Sequence, residues 1–264
     1  MTAPPRRAIG VIGGSGITSI FENGVARSHR VATPWGAPSG PVDEGEVGGV
    51  RVLFLARHGP GHSIPPHRVN YRANVDALRS LGAEAIVTVS SVGSLREELA
   101  PGTFVLPDQF VDLTKQRPTT FFDGGRVFHV SLADPFCPDL VKTAAATGRE
   151  LGSPFAQGKT YVCVEGPRFS TRAESKFFRS FADIIGMTLV PEVTLARERA
   201  LCYACLAMVT DYDVWAERPV EVKEILETMH RNADRMHRLL TTLLPRLAVP
   251  PTCGCAKALD DAGV

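Results

Sequence analysis

The chain carries almost no charge excess, with 29 Lys and Arg against 28 Asp and Glu, a formal net charge of +1. Without a basic block to neutralise phosphates or anionic headgroups, composition gives no support to nucleic-acid or membrane-surface binding. No window approaches the roughly 20 apolar residues that a membrane span needs. The opening MTAPPRRA has no apolar signal core before the first short strand, so a soluble, cytoplasmic protein is expected. Internal repeats, low-complexity blocks and composition shifts are missing as well, which leaves no marked domain boundary. The six cysteines, at 137, 163, 202, 205, 253 and 255, lack the paired spacing of a structural zinc site. Cys202 and Cys205 lie three apart in an apolar run, so in a strand they face opposite ways and read as buried structural thiols. Cys253 and Cys255 fall in PPTCGCAKALDDAGV, which reads as a mobile tail, a local redox pair being the other reading. His58, His62 and His67 crowd one loop, but no acid or cysteine nearby completes a metal set, and no metal is expected.

What is present alternates. With 264 residues, 44% hydrophobic and 22% charged, the chain can bury one large core. Strands are expected at Ile9–Ile12, Val50–Ala56, Ala85–Ser90, Thr103–Val111, Tyr161–Glu165 and Leu201–Trp215, and Ile184–Met187 leads to Thr188. Helices are expected at Tyr71–Leu81, Pro138–Leu151, Thr171–Phe181, Pro191–Arg199 and Val222–Leu244. Gly82 and Gly152 supply helix stops, and Thr171-x-x-Glu174 has the form of a capping box. This order indicates an α/β fold, one domain over residues 8–247 with a central mixed β-sheet flanked by helices. Residues 1–7 and 248–264 are expected to be flexible, and the tail after Leu247 to be dispensable for activity.

Three strands deliver small, hydroxylated or cationic residues. Ile9–Ile12 runs into Gly13-Gly14-Ser15-Gly16, whose backbone N–H groups can approach an anion. Gly14-x-Gly16 begins a dinucleotide fingerprint, but Ser19 stands where its third glycine belongs and no acid follows at the required distance. Val50–Ala56 ends in Arg57-His58, and Arg57 can offer a planar fork to two phosphate oxygens. Ala85–Ser90 ends in Ser90-Ser91-Val92-Gly93-Ser94. In open α/β sheets ligands bind beyond the carboxyl ends of strands, so these loops converge if the strands are parallel neighbours.

The run LCYACLAMVTDYDVW ends in Asp211 and Asp213. If the strand continues through both, they share a face, repel, and have pKa values pushed upward or apart. A ligand offering two donors, such as the 6-amino group and protonated N7 of adenine, relieves that. Two solvated acids at a strand end are the competing reading. Glu192 and Glu198 read most simply as helix-surface or ion-pair residues.

Taken together, IGVIGGSGI, ARHGPGHSIPPHRVNYRANVDAL, VGSLREEL, ADPFCP, EGPRFSTRAES, GMTLVPEVTLARE and MVTDYD occur in an order that resembles the 5'-methylthioadenosine phosphorylases, members of the trimeric purine nucleoside phosphorylase family. The resemblance runs from about Ile9 to Leu244. It implies phosphate held by Ser15, Arg57, His58, Ser90, Ser91 and Thr188, with inorganic phosphate as co-substrate and no cofactor. It implies a ribose on Met187, and a base against Phe169 touching Ser170, Asp211 and Asp213, with Asp211 as general acid. The 5'-substituent would face His62, Val222, Ile225 and Leu226. His129 of a neighbouring subunit would close that pocket, which implies a homotrimer. Ser170 stands where 6-oxopurine relatives have a glutamate, which favours a 6-aminopurine. Gly186, common in 6-oxopurine members, points the other way, toward inosine-type substrates or 5'-methylthioinosine. A nucleoside-binding module without turnover would lack Arg57, His58 or Asp211, and all three are present.

Overall fold

The computed structural model describes residues 7–14, 16–17, 19–21, 24–216, 222–247, 252–260 and 262–263. Its strands are β1 (Ala8–Gly13), β2 (Arg27–His29), β3 (Val42–Val47), β4 (Val50–Ala56), β5 (Ala83–Ser94), β6 (Phe104–Leu113), β7 (Phe155–Val164), β8 (Ile184–Gly186) and β9 (Cys202–Asp211). They form one mixed sheet in the order β2-β3-β4-β1-β5-β8-β7-β6-β9, and β9 also pairs with β5, so the second half closes on itself. Within it β4, β1, β5 and β9 are consecutive parallel neighbours. This is the mixed-sheet, single-domain α/β architecture expected.

The helices α1 (Tyr71–Ser80), α2 (Pro138–Glu150), α3 (Arg172–Phe178), α4 (Leu189–Glu198) and α5 (Val222–Arg246) flank the sheet. The apolar strands read as continuous because each face has its own cover. In β4, Leu53 and Leu55 join the layer made with Val75 and Leu78 of α1 and Val193 and Leu195 of α4. The alternate Val52 and Phe54 join the opposite layer, with Leu239, Leu240 and Leu243 of α5. Each such leucine, fully buried, contributes about 1.5–3 kcal/mol. The stripe of α5 is core as its period requires, except that Val222 and Leu226 of its first turns are exposed and Ile225 is half-buried.

Most boundaries agree with the sequence reading to a few residues. The capping box forms in both directions, Glu174 N–H donating to Thr171 Oγ1 and Thr171 N–H to Glu174 Oε2. In α4, Val190 is extended, so regular helix begins at Pro191. Cys202 and Cys205 do face opposite layers. β2 and β3 had no sequence signal because they form a charged, half-exposed edge, VDEGEV, whose pairing to β4 is fixed by backbone hydrogen bonds. The end of the chain needs a correction. Residues 252–260 are not a loose tail: Asp139 Oδ2 accepts the backbone N–H groups of Thr252 and Cys253, and Cys255 is buried. Gly263 bridges Phe128, and Ala262 accepts the N–H of His129 at 2.7 Å. A polar, glycine-containing segment gave no periodic signal, since what holds it lies far away in sequence.

Candidate active site

Because β4, β1, β5 and β9 run parallel side by side, their carboxyl ends open at one end of the sheet. Arg57 leaves β4 with its N–H donated to Gly13 O of β1 at 3.0 Å. Its guanidinium is 1% exposed and largely committed: Nε and Nη2 donate to Glu192 at 2.9 and 3.2 Å, Nη1 donates to Val89 O at 3.0 Å, and Nη2 also donates to Thr88 Oγ1. Burial works against that charge, but the Glu192 carboxylate outweighs it and holds the guanidinium protonated. The fork expected to clasp phosphate therefore clasps Glu192, leaving one Nη1 proton and a fixed positive field for an anion. Glu192, 0% exposed, also accepts Tyr203 Oη–H at 2.8 Å, so it is no surface residue. Its position on α4 relative to Arg57 is a tertiary fact that local pattern cannot supply.

His58 is buried beside this charge, with Nδ1 2.8 Å from Ile64 O. That contact requires Nδ1–H as donor and leaves Nε2 for an anion. Burial and then the Arg57 charge lower its pKa to about 4. The unfolded chain, with an ordinary value of 6.5, therefore takes up this proton first. Stability from keeping His58 neutral is complete above pH 6.5 and is lost as pH falls toward 4, by about 3 kcal/mol in all. Urea midpoints at pH 7 and 4.5 should show this drop in phosphate-free buffer, and His58→Gln should lose most of that part of it. An equal drop in the variant would remove His58 from the explanation.

The hydroxyls gather as expected. Ser90 Oγ lies 3.2 Å from Tyr161 Oη and 3.3 Å from Thr188 Oγ1. Thr188 immediately precedes α4, and its side chain makes no capping bond to that helix. Ser91 Oγ is buried and has no hydrogen-bond partner among the described residues. Ser15 lies outside the described residues. Tyr161 was not anticipated, and it explains Gly186: a Cβ there would stand 1.9 Å from Tyr161 Oη. The glycine thus makes room for the tyrosine that lies against Ser90.

β9 ends at Asp211, and Asp213 sits in a left-handed turn at φ 51. The two acids therefore do not share a strand face, contrary to the expectation. They meet because Asp213 N–H donates to Asp211 Oδ1 at 2.8 Å, with Thr210 Oγ1–H donating to Oδ2 at 2.7 Å. Both flank Gly93, where a Cβ would lie 3.0 Å from Asp211 Oδ1 and 3.4 Å from Asp213 Cβ. Burial raises both pKa values; at Asp211 the charges of Asp213 and of Glu224 on α5 add to it. Asp213 Oδ2 is buried without a hydrogen-bond partner among the described residues.

The turn after Asp213 is tied to α3 by Arg172 Nη1, which donates to Val214 O at 3.1 Å. This brings in the segment before α3, where Phe169 is 39% exposed and Ser170 lies near Asp213. Met187 Sδ presses against Gly166 at the start of that segment. His62 stacks against His58 at 4.3 Å between ring centroids, beside the cationic end of the site. Val222, Ile225 and Leu226 lie on the α5 turns that carry Glu224. His129 is exposed, and among the described residues no hydrogen bond or ring contact brings it to these residues. Cationic and hydroxyl groups thus gather at one side and buried carboxylates at the other, both anchored on β5.

A family model described as the phosphorylase superfamily matches residues 8–245. The S-methyl-5'-thioadenosine phosphorylase of Pyrococcus furiosus is 53% identical over 251 residues, covering 95% of this chain and 97% of that one. The methylthioadenosine phosphorylase of Schistosoma mansoni in complex with adenine superposes with a TM-score of 0.90 at 37% identity, covering 95% of each chain. A point mutant of the Schistosoma mansoni adenosine/methylthioadenosine phosphorylase, in complex with methylthioadenosine, gives 0.89 at 36% identity over 95% of this chain and 94% of that one. The chain therefore belongs to the phosphorylase superfamily, in the family of the S-methyl-5'-thioadenosine phosphorylases.

Proposed function

We propose that the chain cleaves 5'-methylthioadenosine with inorganic phosphate, releasing adenine and 5-methylthioribose 1-phosphate. The observation that carries this is the buried Asp211–Asp213 pair around Gly93, on the same strand as the Ser90 hydroxyl. Three residues of strand separate Ser90 from Gly93 by about 10 Å, a span that a nucleoside and its attacking phosphate can bridge. The curated relatives at 53% identity are named for the same activity.

Phosphate held near Ser90, Ser91, Thr188, His58 and the Arg57 field attacks C1' of the ribose, forming the O–C1' bond as the bond to N9 breaks. Positive charge develops on the sugar, and the bound dianion compensates it. Negative charge develops on the purine, and a protonated Asp211 delivers its proton to N7. Positioning and electrostatics then supply the rate, with phosphate as co-substrate and no cofactor. Asp213 accepts from the 6-amino group, and Ser170 leaves N1 unopposed. Phe169 covers the base and Met187 the ribose. The apolar Val222, Ile225 and Leu226, with His62, suit a methylthio group, since an apolar wall leaves a 5'-hydroxyl unpaired. A homotrimer, in which His129 reaches the adjoining pocket, completes this reading, as does a cytoplasmic location. Among the described residues no helix is long and apolar enough to cross a membrane.

Chromatographic assay of methylthioadenosine, adenosine and inosine, each with and without phosphate, tests the reaction. Adenine release that ignores phosphate overturns it. Asp213→Asn should move selectivity toward 6-oxopurines, because an amide can donate to O6, while KM for phosphate stays within about twofold, the hydroxyl end being untouched. Unchanged selectivity would remove Asp213 from base recognition.

A further inference from the structure

Away from this site, four cysteines from three distant parts of the chain converge. Cys137 is the residue capping the start of α2, Cys202 opens β9, and Cys253 and Cys255 flank Gly254 in the C-terminal segment. Cys253 Sγ lies 3.5 Å from Cys137 Sγ and 3.4 Å from Cys202 Sγ, and all four Sγ atoms lie within 4.8 Å of one another. Cys137, Cys202 and Cys255 are buried and Cys253 is half-buried. Among the described residues no other group of His, Cys, Asp and Glu reaches this density.

We infer that Cys137, Cys202, Cys253 and Cys255 form a structural site for one thiophilic divalent cation, zinc above all, fastening the C-terminal segment to the starts of β9 and α2. Zinc binds four thiolates tetrahedrally at about 2.3 Å, which sets an S···S edge of about 3.8 Å. Two of the spacings, 3.5 and 3.4 Å, lie just under that edge and none exceeds 4.8 Å, so a cation seats with little more than side-chain rotation. A disulfide needs two sulfurs at about 2.05 Å, and here each thiol neighbours three others with no pair singled out.

The surroundings suit a tetrathiolate. Arg197 Nη1 lies 3.7 Å from Cys255 Sγ and offsets part of the excess negative charge. Cys137 stands at the positive end of the 13-residue α2, where a thiolate is favoured. Residues 252–260 contain one short helical turn and little apolar surface, the kind of segment that a metal holds where a core cannot. Cys202 and Asp211 are the two ends of β9, about 30 Å apart, so the cation would stabilise the fold without entering the chemistry.

The full-length chain, purified under reducing conditions without added chelator, should contain one zinc per chain by elemental analysis. Cys205→Ala, in a separate buried layer, should retain it, and Cys255→Ala and Cys137→Ala should lose most of it. Cobalt(II) added to wild-type protein stripped of metal should give the intense visible bands of a tetrahedral tetrathiolate. The stripped protein should melt several degrees lower and keep its room-temperature phosphorolysis. Absence of stoichiometric zinc together with no tetrathiolate cobalt spectrum overturns the site, even if the variants fail to fold. Mapping of two disulfides among these four cysteines in protein kept from oxidants overturns it as well. Either result leaves the phosphorolysis reading untouched, since that reading is tested by phosphate-dependent adenine release.

Discussion

Asp211→Asn should lower kcat for methylthioadenosine by about 100- to 10,000-fold, the usual worth of a positioned general acid, with KM for phosphate changed little. Asparagine Oδ1 can still accept Asp213 N–H, and its Nδ2–H can donate to Thr210 Oγ1, whose own proton then goes to Val92 O at 3.2 Å, so the turn is retained. What it removes is the acidic proton that the carboxyl offers to N7. Burial raises the pKa of this carboxyl and so favours its protonated form, with the Asp213 and Glu224 charges adding to the effect. Wild-type kcat should therefore fall as pH rises through the Asp211 value, and the variant should show a flat profile. A variant with near-normal kcat, or one that keeps the alkaline fall, would show that N7 receives its proton elsewhere.

Glu192→Ala should be the most destabilising single change near the site. It strands a guanidinium that is 1% exposed, and breaking a buried pair from one side costs about 3–5 kcal/mol. It also frees Tyr203 Oη, which donates to Glu192 at 2.8 Å. Urea unfolding should show the loss. In the protein that still folds, KM for phosphate should rise more than kcat falls, because the cationic field loses its fixed position. The double variant Arg57→Met, Glu192→Leu separates the two roles: it should recover most of the stability and none of the phosphate affinity. If it recovers phosphate affinity, the pair is only a structural buttress.

Legibility in the sequence followed the range of the forces involved. The β4 strand, the α5 stripe and the Thr171–Glu174 capping box were readable because each depends on neighbours within a few residues. The strand-end loops were readable as a group for the same reason. Arg57 was identified as cationic machinery, but its partner was not, since Glu192 lies 135 residues away. The packing of Gly186 against Tyr161 was not readable, since Tyr161 comes from another strand. The two aspartates were rightly paired for the wrong reason: a left-handed turn at Asp213, not strand alternation, brings them together.

The sequence by itself determined the α/β alternation, the two-sided burial of the central strands and the chemical types assembled at their ends, because local periodicity and composition encode these. Only the tertiary structure decided which groups those types face. Glu192 occupies the Arg57 fork, Tyr161 lies against Ser90, and the last described residues return to Cys137, Cys202 and the His129 segment. Such contacts depend on strand order and on the closure of β9 against β5, and no stretch of chain short enough to show a pattern contains both partners.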